Sequence, residues 1–158
     1  MGTRSAIGKF NPNGTMTLIY CHWDGYPSYN GRILNEHYKT LEDVDKLLAL
    51  GDLSSLGAYP RSDPSLWDLN GEAGRKYLPS GVAEICRAYN DRGEDTHSRT
   101  VKTLKEAFDK YSDCKYFYLF GSYYLDGDKE VVAQGKAQWV VYYPDDTKPH
   151  HLANLLKK

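Results

Sequence analysis

The residues best suited to chemistry are concentrated in one short stretch near the amino terminus, YCHWDGYPSYNGR at positions 20–32. His22 and Asp24 stand two positions apart in it, so in an extended strand their side chains would face the same side. A histidine beside a carboxylate can act as a general base with its orienting partner, or as half of a metal site that takes a third ligand from elsewhere. In the alternative interpretation, Asp24 caps the following turn or helix and His22 hydrogen-bonds to a hairpin.

The aromatic and basic residues near this pair favour the binding of a flat, charged ligand such as a nucleotide. Trp23 and Tyr26 can stack on a base, and the fork of donors on an arginine such as Arg4 can pair with a phosphate. The predicted ligand-binding residues are Arg4, Ser5, His22, Trp23, Asp24, Tyr26 and Ser28. For an enzyme, the catalytic residues would be His22 and Asp24.

A β-hairpin is predicted to bring these residues together. The segments Thr3–Phe10 and Thr15–His22 are rich in β-forming residues, and the NPNG between them marks a tight turn. A four-residue loop pairs the facing ends of the two segments and places Arg4 near Cys21. The opening TRS and the CHWDGYPS motif should therefore meet at one end of the sheet. Arg4 would there either bind the ligand or pair with Asp24 as a structural lock that holds the loop in one shape.

Hydrophobic periodicity predicts the other elements. Helices are expected within residues 28–38, 40–51, 98–111 and 148–158, and further strands within 81–89, 115–125 and 137–143. Thr40 and Asp43 fit a capping box at the start of the second helix. Together these elements predict a single α+β domain over residues 1–158, with a mainly antiparallel sheet of about five strands and three or four helices packed mainly on one face.

Residues 58–80 form the longest irregular stretch, rich in proline, glycine and polar residues. Long loops in compact domains tend to be functional or mobile, so this segment is expected to be an insertion of one kind or the other. Trp67 in its middle either anchors the loop to the body of the domain or offers a stacking face.

The composition indicates a globular protein, and no cofactor or metal is expected. Of the 158 residues, 41% are hydrophobic and 26% are charged, which is enough apolar material for a real core. The net charge of −1 argues against a protein whose main task is to grip a nucleic-acid backbone. The sequence lacks the Walker, GxGxxG, GxSxG and HExxH motifs that would indicate nucleotide, hydrolase or metalloprotease chemistry.

The cellular location is predicted from the cysteines and from the apolar runs. Three widely spaced cysteines fit neither a disulfide framework nor a zinc cluster, and are typical of small buried hydrophobes in a reducing compartment. No apolar run is long enough to span a membrane, and the first ten residues lack the apolar centre of a signal peptide. We therefore expect a cytoplasmic protein with no membrane partner.

Three motifs carry a resemblance to a known family. The opening MGTRS, the segment IYCHWDGYPS and the later LLALGDLSSLG resemble a family of small proteins common in bacteriophage and prophage genomes. The resemblance is strong over residues 1–57 and weaker in the aromatic carboxyl-terminal half. It implies expression in the cytoplasm of an infected bacterium, and the motifs specify no activity. By analogy with phage proteins of this size, it also suggests a role against host defence, which some perform by sequestering nucleotide signals.

Three functions remain open. The leading hypothesis is a non-enzymatic phage accessory protein that binds a small nucleotide-like or other anionic ligand, with a homo-oligomer sharing the pocket between subunits. The second is an inhibitor that binds a host protein, since the chain has 14 tyrosines against 4 phenylalanines and groups many of them at 116–124 and 142–143. The third is a small hydrolase that cleaves a phosphodiester with His22 as general base.

Overall fold

The computed structural model describes residues 2–67, 75–127 and 129–157, and these contain nine strands and four helices. The strands are β1 (Ser5–Phe10), β2 (Met16–Cys21), β3 (Leu53–Ser55), β4 (Tyr59–Ser62), β5 (Ile85–Ala88), β6 (Arg99–Val101), β7 (Tyr116–Asp126), β8 (Glu130–Tyr143) and β9 (Asp146–His151). The helices are α1 (Arg32–His37), α2 (Leu41–Leu48), α3 (Leu104–Lys110) and α4 (Leu152–Leu155). A π-helical turn (Pro27–Gly31) precedes α1, and two 3₁₀ turns lie at Pro64–Trp67 and Tyr89–Arg92.

All the described strands belong to one mixed sheet, which confirms the α+β prediction but not the predicted sheet. The order is β4-β5-β3-β2-β1-β7-β8-β9, with β6 pairing to part of β2. Three of the pairings are parallel, namely β1 with β7, β2 with β3 and β4 with β5. The prediction of about five strands was therefore too small, and the mainly antiparallel sheet also contains parallel pairings, with five of the eight pairings between described strands antiparallel. The missed strands are three to six residues long, too short to show a clear alternation of apolar and polar residues.

The β1–β2 hairpin forms as predicted, with its register displaced by one residue. The antiparallel pairing, extended by one position, sets Arg4 opposite His22 instead of Cys21. The displacement arises in the turn, where the side chain of Asn13 accepts hydrogen bonds from the backbone N–H and the hydroxyl of Thr15, at 3.2 and 2.7 Å. These bonds draw Thr15 out of the strand and into the loop.

The sheet separates two hydrophobic clusters, because successive residues of a strand point to opposite faces. On one face, Ile7 and Ile19 pack in a cluster with residues of α1, α2 and α4. On the other face, Ala6 and Leu18 pack in a cluster with residues of α3. Three of the four described helices therefore share one face, as predicted, and the fourth covers the other.

Of the helices predicted within residues 40–51 and 98–111, the first is confirmed and the second is shorter than expected. The helix within residues 40–51 is confirmed as α2, and the hydroxyl of Thr40 accepts the N–H of Asp43 at 3.2 Å, as a cap should. The helix predicted over 98–111 is shorter, because its first third is strand β6 instead, paired antiparallel to β2. Thr103 caps the remaining helix α3 by accepting the N–H of Glu106 at 3.1 Å.

The carboxyl-terminal region also differs from the prediction. The strand expected within 137–143 begins earlier, as β8, and it is not the last strand. The segment that was expected to be helical from residue 148 contains β9, and only its end forms helix α4.

The irregular stretch 58–80 is described in part. It contains the short strand β4 and a 3₁₀ turn that ends at Trp67. The predicted insertion also includes residues 68–74, which lie outside the described residues. The anchor interpretation of Trp67 is confirmed, because its indole N–H donates to the carbonyl of Ala88 at 2.7 Å.

A side chain completes the outer edge of β2. Strand β6 pairs with β2 over Met16–Leu18, and β3 pairs with it only at Cys21. Between these two partners, the carboxylate of Asp52 accepts the backbone N–H of Tyr20 at 2.9 Å. Asp52 therefore satisfies a donor that neither neighbouring strand reaches.

Candidate functional site

The backbone of the CHWDGYPS motif is fixed by its neighbours on both sides. Beyond the end of β2, the N–H groups of His22 and Trp23 bond to the carbonyls of Leu53 and Ser54, each at 3.0 Å. On the other side, the N–H of Gly25 donates to the carbonyl of Thr3 at 2.8 Å. The motif therefore runs between the amino-terminal segment and β3, as the predicted meeting of TRS with CHWDGYPS required.

Buried polar groups hold the same loop from beneath. Asn30 is fully buried, and its side-chain amide donates to the carbonyl of Trp23 at 3.0 Å. The hydroxyl of the fully buried Tyr118 donates to the carbonyl of Gly25 at 2.6 Å. Asp24 adopts a left-handed conformation with φ of 58°, which aspartate tolerates better than most residues. Much of the polarity of the motif thus serves a demanding structural turn.

Two aromatic side chains of the turn are exposed to solvent. Trp23 is 42% exposed and Tyr26 is 38% exposed, although large aromatic side chains are normally buried. Gly25 allows this arrangement because a Cβ there would lie 2.7 Å from the carbonyl oxygen of Thr3, closer than real Cβ atoms come. The turn therefore displays its aromatic side chains on a rigid support.

Beside these side chains lies an open cleft of about 350 Å³, which we call the Trp23 cleft. It is bounded by the turn, by β3 and β5, and by the segment that follows residue 74. Its described lining residues are Trp23, Asp24, Tyr29, Ser54, Ser55, Arg75, Tyr77, Ala83 and Arg87. The cleft therefore combines aromatic surfaces, hydroxyl groups, two guanidinium groups and one carboxylate.

Contacts with the body of the protein hold both arginines of the cleft. Arg75 donates from Nη2 to the hydroxyl of Ser55 at 2.8 Å and to the carbonyl of Ile85 at 3.4 Å. The guanidinium carbon of Arg87 lies 4.1 Å from the centre of the Trp67 ring, within the range of a cation–π contact. Two permanent positive charges are thus positioned against the cleft before any ligand enters.

The carboxylate of the cleft belongs to Asp24, the residue that follows Trp23. The Oδ1 atom of Asp24 accepts the hydroxyl of Tyr26 at 3.2 Å. The pKa of Tyr26 is raised above its usual value, first by burial and then by the nearby charge of Asp24. This contact helps to orient the carboxylate, while the second oxygen and the remaining lone pairs of Oδ1 can accept further hydrogen bonds.

A second polar cluster adjoins Trp23. The hydroxyl of Tyr20 is 2.8 Å from Nδ1 of His22, and the ring of His22 meets the Trp23 ring edge-on with centroids 4.7 Å apart. Arg4 lies 3.5 Å from the carboxylate of Asp113. The ion pair of Arg4 is therefore with Asp113 and not with Asp24, as the lock hypothesis required, and both of its side chains are exposed to solvent. The orienting partner of His22 is likewise Tyr20 instead of Asp24.

Burial shifts the titration of this second cluster. It lowers the pKa of His22 below its usual value, and the positive charge of Arg4 lowers it further. Burial also raises the pKa of Tyr20 to about 12. At neutral pH, His22 is therefore an uncharged ring in contact with Tyr20 and Trp23.

The seven predicted ligand-binding residues occupy different places in the structure. Trp23 and Asp24 line the Trp23 cleft, and Tyr26 contacts Asp24. Ser5 is fully buried, 3.5 Å from the side-chain amide of Asn30. The other three are an arginine paired with Asp113, a histidine beside Trp23 and an exposed serine in the π-helical turn, namely Arg4, His22 and Ser28.

Sequence reasoning missed most of the cleft, although two signals pointed to it. Arg75 belongs to the irregular stretch that was expected to be functional or mobile. In β5, buried Cys86 and Ala88 alternate with the more exposed Ile85 and Arg87, which is the period of a strand with one outward face. No pattern in the sequence indicated that this outward face of β5 lies on the same cleft as the CHWDGYPS motif.

The remaining candidates for chemistry are the cysteines and the side chains that could bind a metal. All three cysteines are buried and unpaired, and burial raises the pKa of the Cys21 and Cys86 thiols to about 12 and about 11. Within residues 2–67, 75–127 and 129–157, no group of three or more histidine, cysteine or acidic residues could hold a metal ion.

The tyrosines of the carboxyl-terminal strands differ in their exposure to solvent. Tyr118 and Tyr142 are fully buried, one in each hydrophobic cluster. The other tyrosines of these strands are only partly exposed, namely Tyr116, Tyr123, Tyr124 and Tyr143. Of the six tyrosines in the predicted protein-binding surface at 116–124 and 142–143, two are therefore buried and four are partly exposed.

Across the described ranges, none of the helices has the length and apolar character needed to cross a membrane. No family model matches the sequence, and no curated protein and no solved structure matches the chain.

Proposed function

We propose that this protein is a non-enzymatic binder of a small nucleotide-like, anionic ligand, and that the Trp23 cleft is its binding site. The observation that carries the proposal is the combination of an exposed indole with two positioned guanidinium groups in one cleft. In this arrangement Trp23 stacks on the base, and Arg75 and Arg87 pair with the phosphate through their planar forks of donors.

The size and charge of the cleft support a single small ligand. A volume of about 350 Å³ falls at the lower end of the range of small-molecule sites, about 300–1,000 Å³. Two of the described lining residues are arginines and one is an aspartate, in a protein whose net charge is −1. Such a cleft attracts anions without turning the whole surface into a nucleic-acid binder.

The chemistry of the lining favours binding over hydrolysis. The described lining residues include one carboxylate and no histidine or cysteine, so no paired acid and base face a bound ligand. His22 is not among the described lining residues, its ring meets the Trp23 ring edge-on, and its Nδ1 atom lies 2.8 Å from the hydroxyl of Tyr20. The hydrolase alternative requires His22 to reach the ligand from outside that lining.

The biological setting of the proposal comes from the resemblance to phage proteins. A binder of this kind acts in the cytoplasm of the infected cell and counters host defence by sequestering a nucleotide signal. A homo-oligomer that shares the cleft between subunits would strengthen such sequestration, because each bound ligand would then be enclosed from two sides.

The test is calorimetric titration of the purified protein with GMP and AMP, together with native mass spectrometry of the protein as isolated. Trp23→Ala and Arg87→Gln should each weaken binding about tenfold or more, since stacking contributes about 1–3 kcal/mol per base. The matched control is Arg61→Gln, because Arg61 is exposed and pairs with Glu84 outside the cleft. Equal binding by the wild type and both cleft variants would refute the proposal.

The same samples separate binding from turnover. A small amount of protein, incubated with many equivalents of nucleotide, should return the nucleotide chemically unchanged. Cleavage of many equivalents, abolished by His22→Gln while binding survives, would establish the hydrolase alternative instead.

A further inference from the structure

The Trp23 cleft contains one group that an anion site does not need. Asp24 places a negative charge in the same cleft as Arg75 and Arg87. A carboxylate there repels a phosphate, and it weakens the field of the two guanidinium groups. An ionised carboxylate can only accept hydrogen bonds, so its ligand-side partner must be a donor.

The turn holds this carboxylate in place. Asp24 adopts φ of 58°, and its carbonyl accepts the N–H of Asn30 at 3.1 Å. Its Oδ1 atom accepts the hydroxyl of Tyr26. Asp24 directly follows Trp23 in the chain, and both residues line the cleft together with Arg75 and Arg87.

We propose that Asp24 is the residue that determines specificity and that the cleft takes a guanine nucleotide. This inference rests on the proposed function. The Watson–Crick edge of guanine presents two parallel donors, N1–H and the N2 amino group, which match the two oxygens of a carboxylate. Adenine presents one amino donor beside an acceptor nitrogen, and that acceptor would face an oxygen of Asp24. The base then stacks on Trp23 while the phosphate meets Arg75 and Arg87.

A variant with opposite effects on two ligands makes the inference testable. In Asp24→Asn the charge is lost but the left-handed conformation stays accessible, because asparagine also tolerates a positive φ. Because the negative charge of Asp24 is removed, the variant should bind an anion that carries no base, such as pyrophosphate, more strongly. Because a carboxylate with two acceptor oxygens is lost, the variant should bind guanine, which offers two donors, more weakly.

The experiment is calorimetric titration of the wild-type protein and Asp24→Asn with GMP, AMP, ribose 5-phosphate and pyrophosphate. We expect the wild type to prefer GMP over AMP by about tenfold or more. We expect Asp24→Asn to bind GMP about tenfold more weakly and pyrophosphate more tightly than the wild type. The control variant is Asp109→Asn, an exposed position on α3 at the opposite face of the sheet, which should change none of the affinities. Thermal melts establish that each variant is folded.

Each other result overturns the inference in a recognisable way. If Asp24→Asn weakens GMP, AMP and ribose 5-phosphate equally, the carboxylate binds the sugar and the guanine assignment is wrong. If the wild type binds GMP and AMP alike and Asp24→Asn changes neither, Asp24 does not determine specificity, although the proposed function stands. If the wild type binds none of the four probes, the proposed function itself fails.

Discussion

The guanidinium carbon of Arg87 lies 4.1 Å from the centre of the Trp67 indole ring, and that ring is itself anchored by a hydrogen bond from its N–H to the carbonyl of Ala88. Arg92 approaches the same ring at 4.5 Å. Trp67 is therefore a positioning residue for one of the two cations of the Trp23 cleft, although it does not itself belong to the described lining of that cleft.

Trp67→Leu should weaken GMP binding about three- to tenfold, because a cation–π contact of about 0.5–2 kcal/mol no longer holds Arg87 in place. Trp67→Phe is the matched variant, since it keeps an aromatic face for Arg87 and loses only the indole N–H. It should retain most of the affinity while melting at a lower temperature. Calorimetric affinities that fall equally in both variants would show that the hydrogen bond, and not the stacked ring, positions Arg87.

Tyr118→Phe should lower both stability and ligand binding. It removes the buried hydroxyl that bonds to the carbonyl of Gly25, and an unsatisfied buried acceptor costs about 1–3 kcal/mol in the free energy of unfolding. The matched control is Tyr142→Phe, whose hydroxyl bonds to the backbone of Leu125 in the other hydrophobic cluster. Both variants should lose similar stability in urea denaturation, while only Tyr118→Phe should bind GMP more weakly. Unchanged binding in both would show that the turn holds its shape without Tyr118.

Asp52→Ala should destabilise the protein by about 1–3 kcal/mol, because it leaves the N–H of Tyr20 without its acceptor on the edge of β2. Asp52→Asn keeps an acceptor oxygen and removes a charge whose burial raises the pKa of this carboxyl. At neutral pH it should therefore be close to the wild type or slightly more stable. Urea denaturation measures both variants, and equal losses in the two would mean that the charge matters and not the hydrogen bond.

Stability should fall as the pH drops below the usual histidine pKa of about 6.5, and His22 should account for part of the fall. Burial and Arg4 lower the pKa of His22 in the folded protein, so the unfolded chain takes up its proton first. Between the two pKa values the unfolded state binds more protons, and the free energy of unfolding therefore decreases as the pH falls. Above the unfolded pKa the effect disappears.

The measurement is urea denaturation at pH 7.5 and 5.5 for the wild type and His22→Gln. Glutamine does not titrate, so the variant should lose less stability between these two pH values than the wild type does. A nuclear magnetic resonance titration of the His22 ring gives the folded pKa directly. A folded pKa above that of an exposed histidine would contradict this explanation.

The elements that the sequence predicted best are those whose signal lies in contiguous residues. The aromatic run of β7, the capped and amphipathic helix α2 and the β1–β2 hairpin all follow from local patterns of apolar, β-forming and turn residues. Strands β3, β4, β6 and β9 escaped prediction because they are short, and because each forms only where a neighbouring strand offers an unpaired edge. The parallel pairing of β1 with β7 could not be predicted either, because no local pattern of residues indicates which strands become neighbours in the sheet.

For the candidate site, the sequence by itself determined that Trp23, Asp24 and Tyr26 stand together on a tight turn, because they are adjacent in the chain and glycine and proline shape that turn. Only the tertiary structure decided which distant groups face them. The strand order β2-β3-β5 brings Arg87 and Arg75 to the Trp23 cleft, while the parallel pairing of β1 with β7 brings Asp113 close to Arg4. The physical reason is that a side chain's partner depends on strand order, register and the alternation of faces, and these are set by the packing of the whole sheet.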